Sequence, residues 1–263
     1  MTWIYAIPAW AFMPGAVVVA CAVAAALLAF VRRNMMRSEQ ITHNDVAGAM
    51  LTIMGTVLAV MMSFMVVGVW QEYDGSAQNV QLEAGTLSDL HHIADAFSPP
   101  ARNRIKRQVD AYIRNVIAIE FPLMRSGGES LVAHNEAYDI EATITRIAPK
   151  NVAEVTAQQS ALSITERFLD ARRQRIHDNQ QGIPLVLWSA LLFIAAVTVL
   201  FSFYFRVEHP FAQYTMVIAV TAVIAVTCAL IAELDYPFRG DVAISAEAFV
   251  RAYHTIHNLG LQQ

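Results

Sequence analysis

Charged residues are scarce in this chain, and their scarcity argues against most soluble functions. Only 15% of the 263 residues are Asp, Glu, Lys or Arg, whereas 56% are hydrophobic. Soluble proteins have about 25% charged and about 45–50% apolar residues, so the composition argues against an ordinary cytosolic enzyme. The formal net charge is −4 and no basic run occurs, which excludes nucleic acid as a partner.

Cysteine and catalytic motifs are also scarce or absent. Cys21 and Cys228 both lie in long apolar stretches, so we predict no disulfide framework, zinc site or thiol redox pair. The histidine pairs 91–92 and 254–257 have no carboxylate or cysteine at ligand spacing. The chain lacks a Gly-x-Ser-x-Gly elbow, a Walker loop, a dinucleotide glycine pattern and a His-Glu-x-x-His motif. We therefore predict no metal, no cofactor and no enzymatic activity.

Four apolar stretches are long enough to cross a membrane. A hydrocarbon core of about 30 Å requires roughly 20 mostly apolar residues in a helix, and none of the four contains Lys, Arg, Asp or Glu. Because backbone polar groups must be satisfied within lipid, we interpret the stretches as transmembrane helices. They run approximately from Trp10 to Val31, Val46 to Trp70, Ile183 to Phe205 and Tyr214 to Ile231.

The segment between the second and third stretches is predicted to be a water-exposed helical domain. It carries most of the charged residues, its apolar residues recur at helical spacing, and no alternating strand pattern persists. Breaks at residues 98–100, 125–128 and 149–151 separate four predicted helices, with Ser98 and Asn151 as N-caps. The helices cover roughly 71–97, 99–120, 130–148 and 152–182.

The predicted fold is an all-α membrane protein with four transmembrane helices and a helical bundle between the second and third. The first and last bundle helices are expected to extend transmembrane helices outward, with a kink near Pro184. A terminal amphipathic helix, with Phe249, Tyr253 and Ile256 on one face, lies along the membrane or packs on the bundle. The expected regions are a transmembrane pair (1–70), the bundle (71–182), a second transmembrane pair (183–231), and a membrane-proximal turn with the amphipathic helix (232–263).

The second apolar stretch carries small residues at helical spacing. They are Gly48, Thr52, Gly55, Ala59 and Ser63. Small residues let helices approach closely, so tight packing is one interpretation. In the other interpretation this helix lines a pore in a ring of subunits, where Met61 and Met65 are candidates for an apolar constriction that gates by dewetting.

Polar residues flank the second and fourth stretches. His43, Asn44 and Asp45 precede the second stretch, where they cap the helix or mark a pore mouth. A second group, the boundary cluster, follows the fourth stretch and is either a solvated turn or a compact arrangement with a functional or assembly role. The boundary cluster comprises Glu233, Asp235, Pro237, Phe238, Arg239 and Asp241.

Several groups of residues, spread over nearly the whole chain, form a specific combination. They are Arg32-Arg33, His43 to Gly48, Trp70 with Tyr73, Glu83 to Leu90, Tyr112 with Glu120 and Pro122, Arg172 to Arg175, Gly182 to Pro184 with Trp188, and Leu234 to Gly240. This combination resembles the bacterial bestrophin-like domain family. The resemblance implies a layout similar to bestrophin anion channels, in which the helical domain is cytoplasmic and five subunits surround a pore. We do not expect the aromatic-rich constriction of those channels in this chain, because the second stretch has only Phe64 amid Met, Val and Gly.

The resemblance implies a multi-pass protein of the bacterial inner (plasma) membrane that forms a homo-oligomer and has the lipid bilayer and an inorganic ion as partners. Charge counting leaves the orientation open. Arg32, Arg33 and Arg37 favour an external domain by the positive-inside rule, whereas the arginines that flank the domain favour a cytoplasmic one.

Two functional hypotheses follow. The first is an oligomeric ion channel, most simply for anions, lined by the second transmembrane helix; the second is a non-conducting sensor or scaffold whose bundle binds a partner or ligand.

Overall fold

The structure, a computed structural model, describes Tyr5 and residues 7–34, 44–204 and 209–259, without the side chains of residues 44, 45, 258 and 259. Within these residues every regular element is a helix. Four helices are long and apolar enough to cross a membrane. The predicted fold class, an all-α membrane protein with four transmembrane helices, is therefore confirmed.

The chain divides into two compact units, formed by residues 1–71 with 182–235 and by residues 72–181 with 236–263. The first, here called the membrane unit, contains α1 (Ala9–Asn34), the first part of α2 (Asn44–Ile93), α7 (Leu185–Ser202) and α8 (Pro210–Leu234). The second, here called the helical unit, contains the rest of α2, then α3 (Pro99–Asn115), α4 (Phe121–Met124), α5 (Leu131–Thr145), α6 (Val152–Gln180) and α9 (Glu247–Leu259).

In the membrane unit, α1 packs against α8. Ala24, Leu28, Phe203 and Val217 form a small apolar core. Large apolar side chains remain exposed elsewhere, such as Phe193, which is 70% exposed. Exposed apolar surface of this kind is the surface that a helix in a bilayer presents to lipid.

Local side-chain contacts set the helix ends of the helical unit. The Asn151 side chain accepts a hydrogen bond from the Glu154 N–H (2.8 Å), and the Glu154 carboxylate accepts one from the Lys150 N–H (2.7 Å). This reciprocal arrangement confirms Asn151 as an N-cap. Ser98 precedes α3 as predicted, but its side chain makes no capping bond; its carbonyl oxygen accepts the Arg102 N–H instead.

The predicted continuity between the last bundle helix and the third transmembrane helix is wrong. Helix α6 ends at Gln180 and α7 begins at Leu185, so the chain breaks rather than kinks there. Pro184 has no N–H and disfavours helical geometry at Ile183. By contrast, α2 is one helix of 50 residues, which confirms that the first bundle helix extends the second transmembrane helix.

The terminal amphipathic helix α9 packs on the helical unit. Its residues Phe249, Ala252 and Ile256 belong to the apolar core of that unit, together with residues of α2, α3, α5 and α6. Burial of these side chains decides between the two placements that the sequence left open.

Candidate functional site

The membrane part of α2 has three kinds of surface. At about 100° per residue, buried residues such as Leu58 and Val69 share one side of the helix. Large exposed apolar residues such as Ile53 and Phe64 occupy a second side. The third side, here called the small face, consists of Gly48, Thr52, Gly55, Thr56, Ala59 and Ser63.

The small face is not covered by the rest of this chain. All its members are exposed or half-buried, and a Cβ atom added at Gly55 would meet no atom within 4 Å. The hydroxyls of Thr52 and Thr56 donate hydrogen bonds to main-chain oxygens four residues earlier, at 2.9 and 2.8 Å. Because these polar groups are already satisfied, the face suits either an aqueous pore or the close approach of another helix.

The two methionines predicted to narrow a pore lie on another side of α2. Met65 is buried in the membrane unit, with 7% of its surface exposed, and Met61 is half-buried. Each is two residues from Ser63, which places both about 200° around the helix axis from it. The structure therefore separates the methionines from the small face.

Of the residues predicted at the pore mouth, His43 lies outside the described residues. Asn44 begins α2 and Asp45 follows in its first turn, and the side chains of both are outside the description. Their role in capping or in ion entry therefore stays a prediction.

The first two acids of the boundary cluster belong to the membrane unit. Glu233 is buried, with 4% of its surface exposed. Asp235 accepts hydrogen bonds from the Ile183 N–H (2.6 Å) and the Trp188 indole N–H (3.2 Å). Asp235 therefore satisfies a backbone donor beside the start of α7, where Pro184 prevents a helical hydrogen bond.

The remainder of the boundary cluster forms an ordered turn in the helical unit. The Arg239 N–H donates to the Tyr236 oxygen at 3.1 Å, and Pro237 has the fixed φ that suits the second position of such a turn. Phe238 is buried at 2% exposure, whereas Asp241 is exposed. Burial of Phe238 and Arg239 favours the compact arrangement over a wholly solvated turn.

Arg239 fastens this turn to neighbouring backbone. Its Nη2 donates to the Asn179 carbonyl oxygen at 2.8 Å, near the negative end of the α6 dipole, and its guanidinium carbon lies 4.1 Å from the Tyr236 ring centroid. Gly127, with φ +82°, passes so close that a Cβ there would lie 2.6 Å from Nη2. Glycine is required at this position both for its backbone angle and for this approach.

We expect Arg239→Ala to lower the free energy of unfolding by about 1.5–3 kcal/mol, because the Asn179 carbonyl loses a charged hydrogen-bond donor. Thermal unfolding of the detergent-purified protein, followed by circular dichroism, measures the change. The matched control is Arg125→Ala, an exposed arginine of the same unit, for which we expect a change within about 0.5 kcal/mol. Equal losses in the two variants would contradict the fastening role.

A buried ion network lies at the centre of the helical unit. It consists of Glu83 from α2, Tyr112 from α3, Glu120 from the π-helical turn Val116–Glu120, and Arg172 and Arg175 from α6. Arg172 is 4% exposed and the other four residues are fully buried. Two carboxylates and two guanidinium groups balance in charge, as burial of ions requires.

Arg175 is the centre of the ion network. Its Nε and Nη2 lie 2.6 and 3.0 Å from the two carboxylate oxygens of Glu83. Nη2 also lies 2.9 Å from Oε2 of Glu120. Its guanidinium carbon is 5.4 Å from the Phe121 ring centroid and 5.7 Å from that of Phe249. Arg175 thus joins α2, the π-helical turn, α4 and α9 to α6.

Arg172 and Tyr112 complete the hydrogen bonding. Arg172 binds Glu120 through both terminal nitrogens, at 2.7 and 2.8 Å, and Nη1 donates to the Tyr112 hydroxyl at 2.9 Å. The Tyr112 hydroxyl in turn donates to Glu83 Oε1 at 2.5 Å. Paired forks of this kind are the strongest geometry for arginine and carboxylate.

The environment keeps the ions charged and the phenol neutral. Burial disfavours the ionised form of Glu120, but hydrogen bonds from Arg172 and the charges of both arginines outweigh burial and lower its pKa. Burial and the Glu83 charge raise the pKa of Tyr112 well above its usual value. Glu120 is therefore an ionised acceptor in the network, and Tyr112 is a neutral donor.

The local sequence explains how Glu120 reaches the arginines. Pro122 has no N–H and its ring would clash with the carbonyl of residue 118 in a regular α-helix. The chain instead widens into a π-helical turn over Val116–Glu120, a geometry frequent at functional sites. Arg172 and Arg175 are three residues apart and so share one face of α6.

The ion network links several helices of the unit through buried hydrogen bonds. The terminal nitrogens of Arg172 and all three guanidinium nitrogens of Arg175 have acceptors inside the unit. The described part of the chain contains no group of three or more His, Cys, Asp or Glu that could hold a metal. We therefore assign it a structural role in fixing α2 against α6. The sequence signal for it was the occurrence of acids and arginines at helical positions whose neighbours, such as Val80, Leu87 and Phe168, are core residues.

These observations define a multi-pass helical membrane protein with a second unit held together by buried ions. The sequence matches the Bestrophin-like domain over residues 16–249. The chain belongs to the Bestrophin-like domain family, and this membership confirms the resemblance drawn from the sequence.

Solved structures show a similar fold at low sequence identity. A bacterial bestrophin homologue from Klebsiella pneumoniae, solved with a point mutation, is 9% identical, covers 94% of this chain and 98% of its own, and superposes with a TM-score of 0.67. The same homologue solved by zinc phasing is 7% identical over the same shares, with a TM-score of 0.71. A structure described only as a membrane protein is 11% identical over the same shares, with a TM-score of 0.71. No curated protein matched the sequence.

Proposed function

We propose that this protein is an oligomeric ion channel in which the small face of α2 lines the pore. The observation that supports this proposal is the division of α2 into a packed side, a bulky apolar side and an uncovered small face. A helix surrounded only by lipid has no need of a separate side made of glycine, alanine and hydroxyl residues. A ring of subunits uses the bulky side for lipid and the small face for the pore.

The family supports the same proposal from another direction. The similar structures are bestrophin homologues, and each covers nearly the whole of both chains, so the helical layout is shared. We propose that the subunits form a closed ring, five as in bestrophins, with the helical unit in the cytoplasm. Within the ring, the pore wall is assigned to the small face rather than to Met61 and Met65.

Conductance and assembly test the proposal together. Purified protein in planar bilayers with symmetric potassium chloride should show discrete currents, and its mass by light scattering should correspond to a closed ring. We expect Ser63→Trp to reduce the conductance several-fold, because each subunit would place an indole in the pore. The neighbouring variant Phe64→Trp, on the bulky side, is the control and should conduct normally.

Two outcomes would contradict the proposed channel or its pore wall. Equal conductance of Ser63→Trp and Phe64→Trp would remove the small face from the pore wall. A monomeric or dimeric mass together with no current would overturn the channel and favour the sensor or scaffold.

A further inference from the structure

The last turn of α9 carries a histidine that faces an unsatisfied acid of α3. Nε2 of His257 lies 3.4 Å from Oδ1 of Asp110. That oxygen is buried and accepts no hydrogen bond among the described residues, whereas Oδ2 of the same carboxylate binds Arg114 at 2.7 Å. Because a buried acceptor without a donor is costly, the Asp110 carboxylate favours a form of His257 that carries a proton on Nε2.

The second ring nitrogen of His257 also lies beside an acceptor. Nδ1 is 2.9 Å from the main-chain oxygen of Tyr253, one turn earlier. The Tyr253 ring stacks on the imidazole at a centroid distance of 4.1 Å and so supports this orientation. A neutral imidazole has one N–H, whereas the imidazolium has two. The neutral form therefore leaves one nitrogen lone pair against an oxygen, and only the protonated form donates at both positions.

Charged and titratable side chains of each neighbouring helix lie around this contact. They are His91 and His92 of α2, Asp95 of the following turn, Lys106 and Arg114 of α3, and Tyr253 and His254 of α9. Burial and the positive charge of Lys106 lower the pKa of His91 to about 4. His91 is therefore neutral in the range in which an ordinary histidine titrates, about pH 6.5, and does not account for a change in that range.

We propose that His257 and Asp110 form a proton-operated latch that fastens the end of α9 to α3. Protonation at mildly acidic pH gives His257 two N–H donors and a positive charge beside Asp110, so protonation favours the docked end of α9. As the pH rises through about 6.5, where histidine ordinarily titrates, one donor is lost and the docked state loses this stabilisation. The latch lies within the helical unit and does not depend on the proposed channel.

The latch connects proton binding to the packing of α9. About two turns before His257, Phe249 lies in the core of the unit, and its ring centroid is 5.7 Å from the guanidinium carbon of Arg175. Ala252 and Ile256 are buried on the same side of α9. These apolar contacts hold the first part of α9 independently of pH, so the latch acts on the last turn of the helix and on the chain that follows it.

Hydrogen–deuterium exchange of the whole chain in detergent, measured by mass spectrometry at about pH 6 and about pH 8, tests the latch. Each exchange rate is divided by the intrinsic rate of the same peptide at that pH, which leaves the protection due to structure. We expect peptides from the end of α9 to be about two- to five-fold more protected at the lower pH, the effect expected of a partly exposed ion pair. Equal protection at the two pH values would overturn the latch.

Variants assign the effect to the two residues of the latch. His257→Phe keeps a ring that stacks on Tyr253 but has no N–H, and Asp110→Asn removes the negative charge, so each should abolish the pH dependence of protection. The matched control is His254→Phe, an exposed histidine of the same helix, which should retain it. Arg114→Ala should also retain it, because this variant leaves His257 and Asp110 in place. Retention in His257→Phe, or loss in His254→Phe, would assign the titration to another group and overturn the proposal.

Discussion

Arg175→Met should lower the free energy of unfolding of the helical unit by about 3–5 kcal/mol, the usual cost of removing one partner from a buried ion pair. Methionine fills a similar volume, but Glu83 would remain fully buried with the Tyr112 hydroxyl as a neutral donor. The guanidinium contacts with the Phe121 and Phe249 rings would be lost as well. Thermal unfolding of the purified protein, followed by circular dichroism, measures the effect.

Two further variants separate charge from packing in this experiment. Arg173→Met changes an exposed arginine on the same helix, which forms an ion pair with Asp170 at the surface, and should cost within about 1 kcal/mol. Adding Glu83→Gln to Arg175→Met removes the orphaned charge and should restore part of the stability. If the double variant is as unstable as the single one, the loss arises from packing and not from an uncompensated carboxylate.

Phe249→Ala should destabilise the protein by about 3–5 kcal/mol, as is typical of a fully buried phenylalanine. Phe249 on α9 is fully buried, and its ring meets Phe121 edge-on at a centroid distance of 5.8 Å. Loss of the ring removes the main anchor of α9 beside Arg175. We therefore also expect faster proteolytic cleavage of the chain near α9, detected by mass spectrometry.

The neighbouring residue supplies the control for this second result. Val250 lies on the same helix and is 36% exposed, so Val250→Ala should change stability by less than about 1 kcal/mol. Equal destabilisation and equal proteolysis in the two variants would show that α9 contributes helix propensity rather than a specific anchor.

The predicted helices and breaks follow from local physical chemistry. The sequence contains four uncharged stretches of membrane length, and between the second and third of them apolar residues recur every three or four positions. Both patterns predict helices without reference to the segments against which they pack. Pro99, the glycine pair Gly127-Gly128 and Pro149 interrupt that spacing, and each lies in or next to a gap between helices. At residues 181–184 the same reasoning failed, because a kink and a full break have the same proline signal. The Asp235 carboxylate, 52 residues away from Ile183, receives the donor that the break exposes.

The pairing of acids with arginines in the ion network could not be predicted from local sequence patterns for a similar reason. Glu83 and Arg175 are 92 residues apart, and neither periodicity nor composition specifies which buried acid meets which arginine. Their occurrence at core positions could have indicated burial and hence some partner. Only the packing of α2, the π-helical turn and α6 makes the pairing definite.

Hydropathy and apolar spacing act through neighbours in the chain. These patterns alone therefore establish that this protein is helical, that four helices suit a bilayer and that a charged helical segment separates the two pairs. Tertiary structure alone decided that α9 packs on the helical unit, that Arg239 binds the end of α6 and that Met65 is buried while the small face is open. These outcomes depend on which surfaces cover one another. A residue's burial is a property of its spatial neighbours, and a linear pattern records only which side of a helix it occupies.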